Sequence, residues 1–178
     1  MKREALLSWT GAFGARTADA YGGGHYALTL PQDARRAIAL GWLVLGLAAL
    51  VGSGVFSILL VLARTPGLGG IFPVADFFHV ALVVHVDLSV LVWFIAFAGM
   101  LWTMNGSARL IGMAWVALTM AIAGAAIMAA APFFGHGAPV MSNYVPVLDD
   151  ALFLSGLVVF GLGFLLLTLR GMLAPLAI

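Results

Sequence analysis

The chain has 178 residues, of which 63% are hydrophobic and only 8% are charged. Because soluble domains carry about 25% charged residues, this composition indicates an integral membrane protein that contacts membrane lipid, and the net charge of +1 gives no sign of a nucleic-acid partner. The chain contains no cysteine, which excludes disulfides, thiolate metal sites and attachment of heme through cysteine.

Residues 1–36 are predicted to form a cytoplasmic leader in front of a membrane domain at residues 37–178. The leader is polar and rich in glycine, and an apolar run around Trp9 predicts a short interfacial helix. A long apolar run begins only after Arg36, which is not the arrangement of a cleavable signal peptide. His25, within the leader, is expected to face solvent.

Four apolar segments are each long enough to cross a hydrocarbon core of about 30 Å at about 1.5 Å per residue. They cover residues 37–63, 75–103, 110–131 and 151–169. Pro132 is expected to end the third segment and Arg170 the fourth, whereas Asp149 or Asp150 is expected to cap the start of the fourth. The sequence therefore predicts an all-α membrane protein with four transmembrane helices.

The distribution of basic residues predicts the orientation of these helices. Five Lys or Arg residues lie in the leader, Arg109 lies between the second and third segments, and Arg170 follows the fourth. All of them fall on one side if the chain crosses four times, and the opposite side has only Arg64 against three aspartates. We therefore expect both termini to be cytoplasmic.

The second segment carries ionisable residues, which are rare inside a membrane span and usually functional. His85 and Asp87 lie close to its centre near Ser89, and His79 lies nearer the outer surface. Three- and four-residue steps along the helix place Ser89, Val92 and Ala96 on the face of His85.

That face, which continues through Gly99 and Thr103, is made mostly of small residues and forms a shallow trough that permits two interpretations. In the first, a flat macrocycle lies in the trough and an imidazole nitrogen of His85 binds its iron. In the second, a neighbouring helix packs against the small residues, and His85 is an interhelical hydrogen-bonding group.

We expect the other polar residues of this region to lie in different surroundings. His79 lies about 120° around the helix from His85 and is expected to be interfacial. Asp87 lies about 200° from His85, and we expect it to face protein rather than lipid, either protonated, hydrogen-bonded to a group such as Ser57 or Thr119, or paired with another chain. His136 is expected to be a surface residue of the loop FFGHG.

Three stretches carry a resemblance to a known family: LPQDARRAIALGWLVLGLAALVGSGVFSILLVLARTPG, FFHVALVVHVDLSVLVWFIAFAGMLW and NYVPVLDDALFLSGLVVFGLG. Together they resemble the first four helices of subunit I of the heme-copper oxidases, with the cbb-type oxidase and nitric oxide reductase branch as the nearest likeness. In that family the second helix carries a histidine that ligates the low-spin heme in the membrane half away from the cytoplasm. His85 matches that histidine in helix, depth and side.

The resemblance implies that His85 is a metal ligand, supplying one axial nitrogen to a low-spin heme of b or a type. It further implies that Ser89, Val92 and Ala96 lie under the ring and that His79 lies near a heme propionate. Such a heme passes electrons toward a centre that reduces oxygen or nitric oxide in an energy-transducing inner membrane of bacterial type.

The family's remaining ligands lie on later helices, and this chain has neither a His-His pair nor a run like HPEVY. The chain is therefore expected to carry no catalytic residue of its own and to depend on a partner chain for the copper or second heme. Its implied partners are a companion integral membrane subunit that carries the remaining oxidase-like helices, and cytochrome c or another redox subunit.

Two alternative functions stay open. The chain could be a self-contained four-helix cytochrome b that holds its heme between His85 and either His79 or His136. It could also be an accessory membrane subunit that has the fold without the cofactor.

Overall fold

The computed structural model describes residues 30–73, 76–135, 137–141 and 145–174. Most of the predicted leader lies outside these residues, together with His25 and His136. The described residues from Pro31 onward belong to one compact unit.

The described residues are mostly helical, and four helices are long and apolar enough to span a membrane, which confirms the prediction of four candidate spans. We call them the first to fourth spans. They cover Ala34–Ala63, Phe77–Asn105, Ile111–Phe134 and Ala151–Leu173.

Asp33 caps the start of the first span, since its side chain accepts a hydrogen bond from the backbone amide of Arg35. A short 3₁₀ helix, Gly69–Ile71, follows the first span. The second span consists of an α-helix, Phe77–Val86, a π-helical segment, Asp87–Val92, and a further α-helix, Trp93–Asn105. Turns of a π-helix are wider than those of an α-helix, and they occur mostly as single-turn insertions in α-helices, frequently at functional sites.

Two predicted helix ends are wrong. Pro132 does not end the third span, because it lies buried within the last turn, which continues to Phe134. Arg170 does not end the fourth span either, and the helix continues to Leu173. Its guanidinium is not exposed at a membrane surface but folds back onto backbone carbonyls, so its charge does not oblige the helix to stop there.

The third and fourth spans approach each other backbone to backbone. A Cβ added to Gly124 would lie 2.4 Å from the backbone nitrogen of Phe160, and one added to Gly163 would lie 2.7 Å from the carbonyl oxygen of Ala117. Such close approach needs residues without side chains, and it maximises the van der Waals contact that drives helix association in lipid.

The first and second spans pack differently, with an aromatic ring against a glycine. A Cβ on Gly99 would lie 2.7 Å from the buried indole of Trp42. A Cβ on Gly46 would lie 3.3 Å from the Cβ of Ala96. The small residues of the second span therefore allow the first span to pack closely against it at this contact.

The connection between the third and fourth spans contains two short antiparallel strands, β1 (Ala138–Val140) and β2 (Val147–Asp149). Asp150 follows β2 and caps the fourth span, since its Oδ1 accepts hydrogen bonds of 2.9 Å from the amide of Leu152 and 3.0 Å from that of Phe153. The predicted cap is thus confirmed at Asp150.

Candidate functional site

His85 lies at the end of the first α-helical part of the second span, two residues before the π-helical segment begins. Its side chain is half-buried against the first span. The Nδ1 atom lies 2.9 Å from the carbonyl oxygen of Ser53, 2.9 Å from the Oγ of Ser53 and 3.2 Å from the Oγ of Ser57. The imidazole is therefore fixed by polar groups of a neighbouring helix.

These contacts determine the tautomer of His85. A carbonyl oxygen can only accept a hydrogen bond, so the 2.9 Å contact with Ser53 requires a proton on Nδ1. In the neutral ring the other nitrogen, Nε2, then carries a lone pair. No described residue forms a hydrogen bond with Nε2, which leaves that lone pair available to a ligand.

The backbone at His85 is held as firmly as its side chain. The carbonyl oxygen of His85 accepts a 3.0 Å hydrogen bond from the Oγ of Ser53 and a 2.8 Å bond from the Oγ of Ser89. Ser89 lies inside the π-helical segment, and its hydroxyl is also 3.2 Å from the carbonyl oxygen of Val86. Ser89 thus supports the wide turn that follows His85.

Val92 and Ala96, predicted to lie under a heme ring, are completely buried within this chain. Ala96 faces Gly46 of the first span, and Gly99, one turn further on, is covered by Trp42. In this arrangement the trough is filled by protein, as the helix-packing interpretation of the small residues predicts.

His79 lies apart from His85, six residues earlier in the same helix. Its side chain is 44% exposed, and its Nδ1 lies 2.6 Å from the Oδ1 of Asp76, which itself is 58% exposed. This contact engages one of the two ring nitrogens of His79 with a residue at the start of its own helix. Among the described residues, no group of three or more His, Cys, Asp or Glu is placed to hold a metal ion.

Asp87 is 1% exposed, which confirms that it faces protein rather than lipid. Neither of its oxygens has a hydrogen-bond partner among the described residues. The suggested partners are wrong, because Ser57 bonds to the His85 site and Thr119 is exposed and donates to the carbonyl oxygen of Val116.

Sequence reasoning identified His85 but missed Ser53, and it considered Ser57 only as a partner of Asp87. The available signal was two serines at positions i and i+4 of an apolar span, which places both hydroxyls on one helix face. Polar residues that share a face inside a membrane usually face protein, and a histidine on the adjacent span is a natural partner for them.

No family model matches the chain, and no solved structure matches it. Curated relatives include an uncharacterized protein of Rickettsia prowazekii (strain Madrid E), 29% identical over 153 residues, and an uncharacterized protein of Aquifex aeolicus (strain VF5), 34% identical over 129 residues. Each alignment covers 72% of this chain but only 30% and 32% of the respective relatives. The chain therefore spans about a third of the length of the curated relatives it matches.

Proposed function

We propose that this chain is the heme-binding part of a respiratory membrane complex and supplies one axial ligand, the Nε2 of His85, to a low-spin heme. The observation that carries the proposal is the 2.9 Å contact between the Nδ1 of His85 and the carbonyl oxygen of Ser53. Metal-ligating histidines almost always donate their second ring N–H to a carbonyl or carboxylate, which orients the ring and raises its basicity. His85 has that arrangement.

The heme, of b or a type, would supply reversible one-electron transfer when bound. This chain's own contribution is to hold the imidazole of His85 and to fix its tautomer, so that Nε2 carries the lone pair. Because Val92 and Ala96 are completely buried within this chain, a ring at Nε2 would be enclosed by helices that lie outside the four described spans.

Those helices would also carry the second axial ligand and the copper or second heme of a centre that reduces oxygen or nitric oxide, as in the heme-copper oxidases. The curated relatives are about three times as long as the segments that match this chain. Their remaining length is sufficient for such helices, whether these belong to the same polypeptide or to a companion membrane subunit that receives electrons from cytochrome c or another redox subunit.

A cofactor-free accessory subunit is the second candidate. It is favoured by the complete burial of Val92 and Ala96 and by the contact of Ala96 with Gly46 of the first span. In that case the His85–Ser53 bond serves only to hold two helices together. A self-contained cytochrome b has less support, because His79 lies on the same helix as His85, near the start of that helix, and its side chain is 44% exposed.

Optical and EPR spectra of the complex purified from its native membrane distinguish these candidates. If His85 is a ligand, His85→Ala removes the low-spin heme signal while the subunits still assemble. The matched control, His79→Ala on the same helix, leaves the signal in place. Retention of the full low-spin signal in His85→Ala would exclude the ligand role.

A further inference from the structure

One end of the four-span bundle carries most of the basic residues, and we call it the basic end. It comprises residues 31–36, the connection 106–110 between the second and third spans, and residues 170–174. A groove of about 540 Å³ opens here between the second and fourth spans. Its lining changes from apolar to polar toward the end of the bundle, from Ala98 and Leu101 through Trp102 to Asn105 and Gly106.

Arg170 lies behind this groove and is only 1% exposed. Its Nε donates to the carbonyl oxygens of Arg109 at 3.2 Å and Leu110 at 3.3 Å, and its Nη2 donates to the carbonyl oxygen of Ser107. Its Nη1 has no acceptor among the described residues, and it lies 3.6 Å from the position that a Cβ of Gly106 would occupy. Gly106, which lines the groove, therefore lies close to a guanidinium nitrogen that has no acceptor among the described residues.

A second guanidinium reaches the same glycine. The Nη1 of Arg35 donates to the carbonyl oxygen of Gly106, and the Nη2 of Arg35 lies 2.9 Å from the Oδ2 of Asp33. Gly106 thus lies between Arg35 and Arg170, although these two residues belong to different spans.

The charges at this end do not balance among the described residues. Four arginines, at positions 35, 36, 109 and 170, face one carboxylate, that of Asp33. Arg36 and Arg109 are exposed. The three carbonyl bonds of Arg170 explain how its charge is tolerated in the interior, but they leave Nη1 without an acceptor among the described residues.

Guanidinium groups bind phosphate through directed N–H bonds and are less strongly hydrated than ammonium groups, so they suit a partly buried anion site. Tryptophan is enriched at the depth of lipid headgroups, and Trp102 is 40% exposed beside the groove. Below it, Ala98 and Leu101 offer an apolar surface that an acyl chain can cover.

We propose that this groove binds an anionic phospholipid, with the phosphate at Gly106 between Arg35 and Arg170 and an acyl chain along Leu101 and Ala98. Basic pockets between membrane helices are known binding sites for anionic lipid headgroups. The lipid would neutralise part of the excess positive charge and fill the space between the second and fourth spans. This inference does not depend on whether the chain binds heme.

Native mass spectrometry of the full-length protein in detergent, titrated with dioleoylphosphatidylglycerol or dioleoylphosphatidylcholine, tests the proposal. We expect the anionic lipid to bind at least tenfold more tightly than the zwitterionic one. Arg35→Gln should remove most of this preference, because it deletes one of the two guanidinium groups. Arg64→Gln, which removes one positive charge at the opposite end, is the matched control and should preserve the preference.

Ala98→Phe fills the apolar part of the groove without changing charge, and it should weaken binding of the anionic lipid. This variant also keeps the test decisive if Arg35→Gln fails to fold. Equal affinity for the two lipids, or equal losses in Arg35→Gln and Arg64→Gln, would overturn the proposal. Displacement of the lipid by 10 mM inorganic phosphate would overturn it too, since the site would then recognise a free anion.

Discussion

The Nδ1 of His85 lies 2.9 Å from the carbonyl oxygen of Ser53, while the Oγ of Ser53 lies 3.0 Å from the carbonyl oxygen of His85. The two residues therefore exchange hydrogen bonds in both directions between the first and second spans. The bond from Nδ1 uses only the backbone carbonyl of Ser53, whereas the other bond uses its hydroxyl. A substitution of Ser53 therefore removes the second bond and keeps the first.

Ser53→Ala should keep the Nδ1–H tautomer of His85 but destabilise the protein by about 0.6 to 1 kcal/mol, the usual contribution of one interhelical hydrogen bond in a membrane. Ser57→Ala should cost less, because its contact with Nδ1 is longer, at 3.2 Å. The ¹⁵N chemical shifts of the imidazole report the tautomer, and steric-trap unfolding reports the stability. A switch to the Nε2–H tautomer in Ser53→Ala would contradict the assignment.

Asp87→Leu should stabilise the isolated chain by about 1 kcal/mol or more, because it replaces a buried polar group that has no partner among the described residues. Asp87→Asn, which keeps the shape and polarity, is the control and should be close to neutral. Unfolding of both variants measures the difference. A loss of complex assembly in both variants would instead indicate that a cation of another subunit pairs with Asp87.

Gly124→Ala should weaken the contact of the third and fourth spans by about 1 to 3 kcal/mol, the usual cost of overpacking. The added Cβ would lie 2.4 Å from the backbone nitrogen of Phe160, so the helices have to separate. Gly161→Ala is the matched control on the fourth span, because nothing lies within 4 Å of a Cβ there. Equal stability of the two variants would contradict the backbone contact.

The absence of cysteine from the sequence makes the orientation directly testable by single-cysteine labelling. If both termini are cytoplasmic, cysteines introduced after Thr65 and after Gly137 react with a membrane-impermeant maleimide from the outer side. A cysteine that replaces Ala108, an exposed residue of the connection between the second and third spans, should be protected until the membrane is opened. Labelling of Ala108→Cys in intact cells would reverse the predicted orientation.

The start of the first span should loosen at low pH. The side-chain hydrogen bond from Arg35, followed by that from its backbone amide, lowers the pKa of Asp33 from its usual value of 3.8. Because the pKa of Asp33 is lower in the folded than in the unfolded state, the cap stabilises the helix fully at pH values above the unfolded-state pKa. This stabilisation is lost as the pH falls through the folded-state pKa. Hydrogen exchange at residues 34–37 should therefore increase below about pH 4, and Asp33→Asn should remove this dependence.

The four helices could be predicted because length and hydropathy suffice to recognise a membrane span. The ends were harder, since the burial of Arg170 depends on carbonyls of a distant connection that no local pattern indicates. His85 was identified for a physical reason, the cost of an ionisable group inside a membrane. Its partners Ser53 and Ser57 were not, because pairing between two spans depends on their relative rotation, which the sequence of one helix does not give. The trough was misjudged as well, because Trp42 of the first span covers Gly99.

The wide turn at Asp87–Val92 has a consequence for comparing this chain with others. A π-helical turn holds one residue more than the α-helical turn it replaces, so a protein with a regular helix here would need one residue fewer between the positions of His85 and Ala96. A single-residue gap in this interval of an alignment would then record a change of helix geometry, and residues on either side of it would correspond only after a shift by one.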